Sequence, residues 1–169
     1  VQKSPMLIRQ WEQLQRHGWT VTHNAGEGTY TVGGDQKVIN IAPELRSDPA
    51  QYVNALAHEF GHATYRGSVD NSSNDACVTS MLKNEGVATM NLLGAEREIL
   101  AHGGPDIVTA GDPSHPFEPF YDLYLRDGST PSAYLQSVAG IGSAFAELHP
   151  STQPGSTYRQ YYGENCPPN

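Results

Sequence analysis

Apolar positions recur at helical spacing in several stretches of the chain, and short β-rich runs fill the gap between the first two. Ser4-Pro5 opens the first helix, with serine as N-cap and proline in the first turn. Leu7, Trp11 and Leu14 form its apolar face, and Gly18 ends it. Residues 19–23, 29–32 and 37–41 then read as strands. The connections at 24–28 (Asn-Ala-Gly-Glu-Gly) and at Gly33-Gly34-Asp35 read as hairpin turns, so the expected sheet is a small antiparallel meander closed by Pro43.

Asp48-Pro49 starts the next helix by the same capping logic. Tyr52, Val53, Leu56, Phe60 and Ala63 place one apolar stripe along it, and Gly67 is its expected stop. A polar Ser/Asn-rich loop leads to a long helix from about Asn74 to His102, with Val78, Met81, Leu82, Val87, Met90, Leu93, Ile99 and Leu100 as its apolar set. Gly94 is a point where it can bend. A Gly/Pro-rich loop, a short aromatic helix at 117–126 and a helix at 132–148 capped by Thr130-Pro131 follow. Gly140 and Gly142 in the last of these either admit a close neighbour or weaken the helix. The tail from Pro150 reads as loop. No repeat or internal boundary interrupts this pattern, and the expectation is one α+β domain over residues 1–169.

Charge and composition narrow the partners. Net charge is −8, which disfavours nucleic acid and anionic membrane surfaces. No apolar run is long enough for a transmembrane helix, and no signal-peptide pattern opens the chain. The first residue is Val, so the expectation is a piece of a longer protein or a processed form. Cys77 and Cys166 are too few for a disulfide framework. One bridge tying the tail to the body, which suits an oxidising compartment, and two unrelated thiols both remain open.

The candidate chemistry lies in the second helix. His58-Glu59-Phe60-Gly61-His62 is an H-E-x-x-H pattern. Positions i and i+4 share one helix face, so two imidazoles there can converge on one tetrahedral metal at about 2.0–2.1 Å. The carboxylate of Glu59 lies beside that face and can take a proton from a metal-activated water. Gly61 has no side chain, so another backbone can pack close to the metal there, or it serves ordinary helix packing. A catalytic zinc needs a third protein ligand. Cys77, Glu85, Glu96, Glu98, His102, Asp106 and His115 are the downstream candidates. Glu85 fits best, because it sits in mid-helix in an apolar neighbourhood, one helix after the motif, and a carboxylate there needs a partner. Its competing reading is a solvated glutamate near Lys83. Glu96 and Glu98 are candidates for supporting a ligand histidine, against a solvated face shared with Arg97. An oxyanion donor is expected among His102, His115, Tyr121, Tyr124, Arg126 and the tail tyrosines. Of the strands, 37–41 is the expected edge for pairing with an extended substrate.

H-E-x-x-H followed by Asn84-Glu85-Gly86 resembles the gluzincins, the thermolysin-like zinc peptidases. The resemblance covers only the two motif helices. It implies a zincin-like fold, with His58, His62 and Glu85 as zinc ligands and Glu59 as general base. One departure is plain: the family has an aspartate four residues after its third ligand, where this chain has Thr89. The support of the first histidine must then differ, with Asp75 or a backbone carbonyl as alternatives. A broader resemblance runs through 11–19, Leu56-Ala57-His58-Glu59-Phe60-Gly61-His62-Ala63, Asn84-Glu85-Gly86-Val87-Ala88, Arg97-Glu98-Ile99-Leu100 and Gly104-Pro105-Asp106-Ile107. These stretches are similar to the metallopeptidase toxin domains fused to type VI secretion spike proteins of Gram-negative bacteria. That resemblance implies a secreted effector module attached to a spike or delivery domain. It also implies action on peptide or protein in the periplasm of a target cell, and a cognate immunity protein.

Other readings keep part of the site. One changes the substrate to peptidoglycan stem peptides or another amide. A second makes the chain an inactive, metal-stabilised interaction module, against which the intact Glu59 argues, since a purely structural site usually has four protein ligands and no use for a base. A third, deformylase-like, uses Cys77 with the two histidines.

Overall fold

In a computed structural model the chain is α+β, and residues 1–108, 117–150 and 153–168 are described. The elements in order are α1 (Pro5–Arg16), β1 (Thr20–Thr22), β2 (Tyr30–Val32), β3 (Val38–Asn40), α2 (Pro49–Thr64), α3 (Asn74–Ala101), α4 (Glu118–Arg126), α5 (Pro131–Phe145) and α6 (Tyr158–Asn165). A short 3-10 turn, Pro43–Ser47, links the sheet to α2. No described helix is long and apolar enough to cross a membrane. The chain forms two compact units, one made of Val1–Tyr65 and the stretch that begins at Ala88, the other of Arg66–Val87 and the chain from Phe117.

The first unit is built on caps and stripes that were legible in the sequence. Ser4 accepts from the Leu7 amide at the start of α1, and Gly18 leaves it with φ +83°. Asp48 accepts from the amides of Ala50 and Gln51, satisfying two of the orphan donors of α2. Leu56 and Phe60 are buried in a core with Leu7, Leu14, Ile39 and Ile41, and Tyr52, Val53 and Ala63 pack around it. Trp11 stacks on Phe60 with ring centroids 5.9 Å apart. Full burial of a side chain such as Phe60 contributes about 1.5–3 kcal/mol. Helix α2 ends at Thr64, before Gly67.

The sheet departs from the expected meander. Its order is β1-β3-β2: β3 pairs parallel with β1 and antiparallel with β2. Only Gly33-Gly34-Asp35 is a turn between neighbours. Residues 23–29 instead bridge two strand spacings, about 9.6 Å, and leave a slot that β3 fills. Asn40, fully buried at the end of β3, holds that bridge. Its Oδ1 accepts from Thr22 Oγ1 and the Asn24 amide, and its Nδ2 donates to the Gly28 carbonyl. Residues 37–41 are therefore the central strand, with both edges paired, and β1 and β2 are the sheet edges.

Helix α3 runs through Gly94 without a break. In the first unit its backbone comes directly onto Gly61. A Cβ at Gly61 would lie 2.5 Å from Ala88 Cα and 3.0 Å from Asn91 Cβ. Asn91 Nδ2 donates to the Ala57 carbonyl (2.7 Å), pinning α2 against α3 at the same level.

In the second unit Val78, Leu82, Ala146 and Tyr162 form the core, with Phe145, Tyr158 and Tyr161 packed on it. The glycines of α5 serve close packing: a Cβ at Gly142 would lie 2.7 Å from the Leu82 carbonyl oxygen, and one at Gly140 2.4 Å from the Phe120 ring. The tail is not all loop. Thr157 and Gln160 form a reciprocal capping box that starts α6, and Cys166 just beyond α6 is bonded to Cys77 on α3, with Cα atoms 5.9 Å apart.

Candidate metal centre

Capping and the apolar stripe fix the face that α2 turns to the core, and so fix where its polar residues point. His58 and His62 are half-buried on that helix, and their Nε2 atoms face each other at 3.1 Å. The rings meet edge to face, with centroids 4.7 Å apart. Two ligands about 2.0–2.1 Å from a tetrahedral centre stand about 3.3 Å from one another. The imidazole pair, at 3.1 Å, stands close to the separation of two ligands on one tetrahedral metal ion.

Glu59 completes this cluster. The ligand atoms of His58, Glu59 and His62 all lie within 4.8 Å of one another, so the group can hold a metal ion. Glu59 is only 5 % exposed. Burial of a carboxylate demands a donor, and Thr31 on β2 supplies it: Thr31 Oγ1 donates to Glu59 Oε2 at 2.7 Å. Two imidazoles and a buried, oriented carboxylate are donors that suit a metal ion.

Glu85 belongs to the second unit, where it is buried at 7 % exposure. The reading of it as a solvated helix glutamate is therefore wrong. The Tyr162 hydroxyl donates to its Oε1. Burial, and then the charge of Glu85, push the Tyr162 phenol far above its ordinary value, so it stays protonated as the donor. Gly86, next in the chain, lets α5 approach: a Cβ there would lie 2.3 Å from the Val138 carbonyl oxygen.

Each remaining candidate has its own local setting. Cys77 is in a disulfide, which removes its thiolate from any metal and with it the deformylase-like arrangement. Glu98 is not on a solvated face: its Oε2 accepts from Ser4 Oγ (2.7 Å) and the Met6 amide (2.8 Å), capping α1. Glu96 is buried, with Arg97 Nε 3.6 Å from its Oε2, so it is not on a solvated face either. His102 is exposed and its Nδ1 lies 2.8 Å from the Glu98 carbonyl oxygen. Asp106 Oδ1 accepts from the Val108 amide. Asp75 is exposed in the first turn of α3. Arg126 is exposed beside Asp127. Tyr121, Tyr124 and Tyr134 form an edge-to-face ring series. The tail tyrosines Tyr158, Tyr161 and Tyr162 pack on one another. His115 lies outside the described residues. Thr89, at the position where the resembled family has an aspartate, is 2 % exposed, and its hydroxyl has no hydrogen-bond partner among the described residues.

Sequence reasoning missed Thr31. Its only local signal is a hydroxyl within a β-rich run; its meaning depends on strand pairing and on α2 lying against β2. No protein-family model, no curated protein and no solved structure matches the chain.

Proposed function

We propose that the chain is a zinc-dependent peptidase in which Glu59 is the general base. The observation that carries this reading is the facing Nε2 pair of His58 and His62, 3.1 Å apart, with the buried Glu59 carboxylate in the same cluster. We assign Glu85 as the third ligand on the sequence argument. Its support is a buried carboxylate whose partner oxygen is ordered by Tyr162, as ligating carboxylates commonly are. A zinc ion held by His58, His62 and Glu85 would supply a Lewis acid that polarises a carbonyl and lowers the pKa of water toward ~7.

The protein's own part follows from position. Glu59 accepts the proton of the attacking water and then delivers it to the leaving amine. A carboxylate shielded from solvent keeps that proton close to the reacting atoms. The edge of the sheet beside α2 is β2, which bears Thr31, and an extended peptide adding to β2 would run past Glu59. This replaces 37–41 as the substrate-pairing strand. The Cys77–Cys166 bond supports action in an oxidising compartment such as a bacterial periplasm. An effector role against a target cell's envelope, with peptide or protein as substrate, a spike or delivery domain as fusion partner and an immunity protein as inhibitor, completes the proposal.

The test is metal content together with hydrolysis. Glu59→Gln keeps zinc and loses turnover, and His58→Ala or His62→Ala loses both. Full zinc in both histidine variants would remove the site from the proposal.

A further inference from the structure

We propose that Thr31 is the positioning residue of the general base: its hydroxyl fixes Oε2 of Glu59 and leaves Oε1 as the oxygen that takes the proton. This rests on the reading of Glu59 as the base of a zinc hydrolase.

Thr31 lies directly opposite Ile39 in the antiparallel β2–β3 pair, so the two side chains share a face. Ile39 is fully buried. A β-branched apolar side chain satisfies such a position, and valine has the same shape as threonine. A hydroxyl there is a cost unless it finds an acceptor. Thr31 Oγ1 lies 2.7 Å from Glu59 Oε2 and 3.2 Å from the Glu59 carbonyl oxygen. It has one proton to give. The shorter contact, to a carboxylate rather than to a carbonyl already engaged in the helix, is where the proton goes.

The consequence is an asymmetric carboxylate. One oxygen is held by the sheet, and no described residue hydrogen-bonds the other. Helix α2 fixes the Cα of Glu59, but its long side chain retains rotations that α2 alone does not remove. The Thr31 bond removes them. The competing role is purely structural, in which Thr31 merely satisfies a buried carboxylate. That role moves stability and leaves the chemistry of the folded protein unchanged.

The experiment uses the full zinc-loaded chain as wild type, Thr31→Val and Thr31→Ser. Zinc content, thermal midpoint, and kcat and KM on labelled casein are measured for each. Acetohydroxamate affinity is measured by calorimetry as a readout independent of turnover, because this probe surrenders a proton to the base when it binds zinc. Thr31→Val keeps one zinc per chain and its KM, and loses roughly 10- to 100-fold in kcat, the scale of a misplaced reacting group. It binds acetohydroxamate about tenfold more weakly, the equivalent of one lost hydrogen bond. Thr31→Ser recovers most of both. Three results overturn the proposal: wild-type kcat and hydroxamate affinity in Thr31→Val, loss of zinc along with activity, or a serine variant as impaired as the valine one. A wild type that binds zinc and hydroxamate but cleaves no peptide bond fails the peptidase reading alone, and the hydroxamate series still decides the role of Thr31.

Discussion

Glu59 shows how much a single residue's role depends on distant parts of the chain. Its neighbours His58 and His62 were legible because i and i+4 on a capped helix determine their relation locally. The 3.1 Å approach of their Nε2 atoms agrees with that local rule. The donor that holds Glu59, by contrast, comes from β2, and no local pattern identifies a threonine for that task. Glu85 stands between these cases. Its apolar neighbourhood signals a carboxylate in need of a partner or solvent, while burial and the Tyr162 hydroxyl as a partner depend on a helix in the tail, where the sequence reads as loop. Glu85→Ala loses zinc, measured by atomic absorption on dialysed protein. Cys77→Ser retains it. The reverse pattern would shift the third ligand away from Glu85.

Elements were predicted well where one residue in each turn carries the signal, and poorly where pairing partners matter. The starts of α1, α2 and α5 follow from Ser4, Asp48 and Thr130, each of which accepts from the amides of its own first turn. Strand order does not follow from composition. The same three β-rich runs make a meander or the observed β1-β3-β2 arrangement, and buried Asn40 holds the chain in the second. Helix α6 did have a signal, the Thr157-x-x-Gln160 capping box, masked by a polar, tyrosine-rich composition. The close contact of α2 with α3 gives a prediction here. Gly61→Ala brings a methyl group to 2.5 Å from Ala88 Cα, and backbone on both sides limits relief. Alanine gains helix propensity of about 1 kcal/mol over glycine, but overpacking typically costs about 1–3 kcal/mol. The expected net is a lower urea midpoint with an unchanged slope. A raised midpoint would show that the helices separate freely at this point.

At the scale of the whole molecule, the sequence supported an α+β chain rich in helix, and it left open whether the two cysteines meet. They do, across 89 positions of sequence. The bond ties the tail helix α6 to α3 in the second unit. Closing a loop of that length in the unfolded chain contributes on the order of 2–5 kcal/mol. Cys166→Ser is therefore expected to lower the thermal midpoint clearly, and reduction of the wild type to do the same without affecting the variant further. Equal midpoints for oxidised and reduced wild type would mean that the aromatic packing of Tyr158, Tyr161 and Tyr162 already holds α6.

Hydrolysis by zinc-loaded wild type and Glu59→Gln, assayed side by side on a panel of proteins and peptides with zinc content determined on the same samples, bears most directly on the proposed reaction. The expected result is one zinc per chain in both, cleavage by the wild type, and a loss of at least about 10²-fold in the variant, the lower end of what a positioned acid–base group contributes. Equal cleavage by the two proteins, or a wild type that binds no zinc, would contradict it.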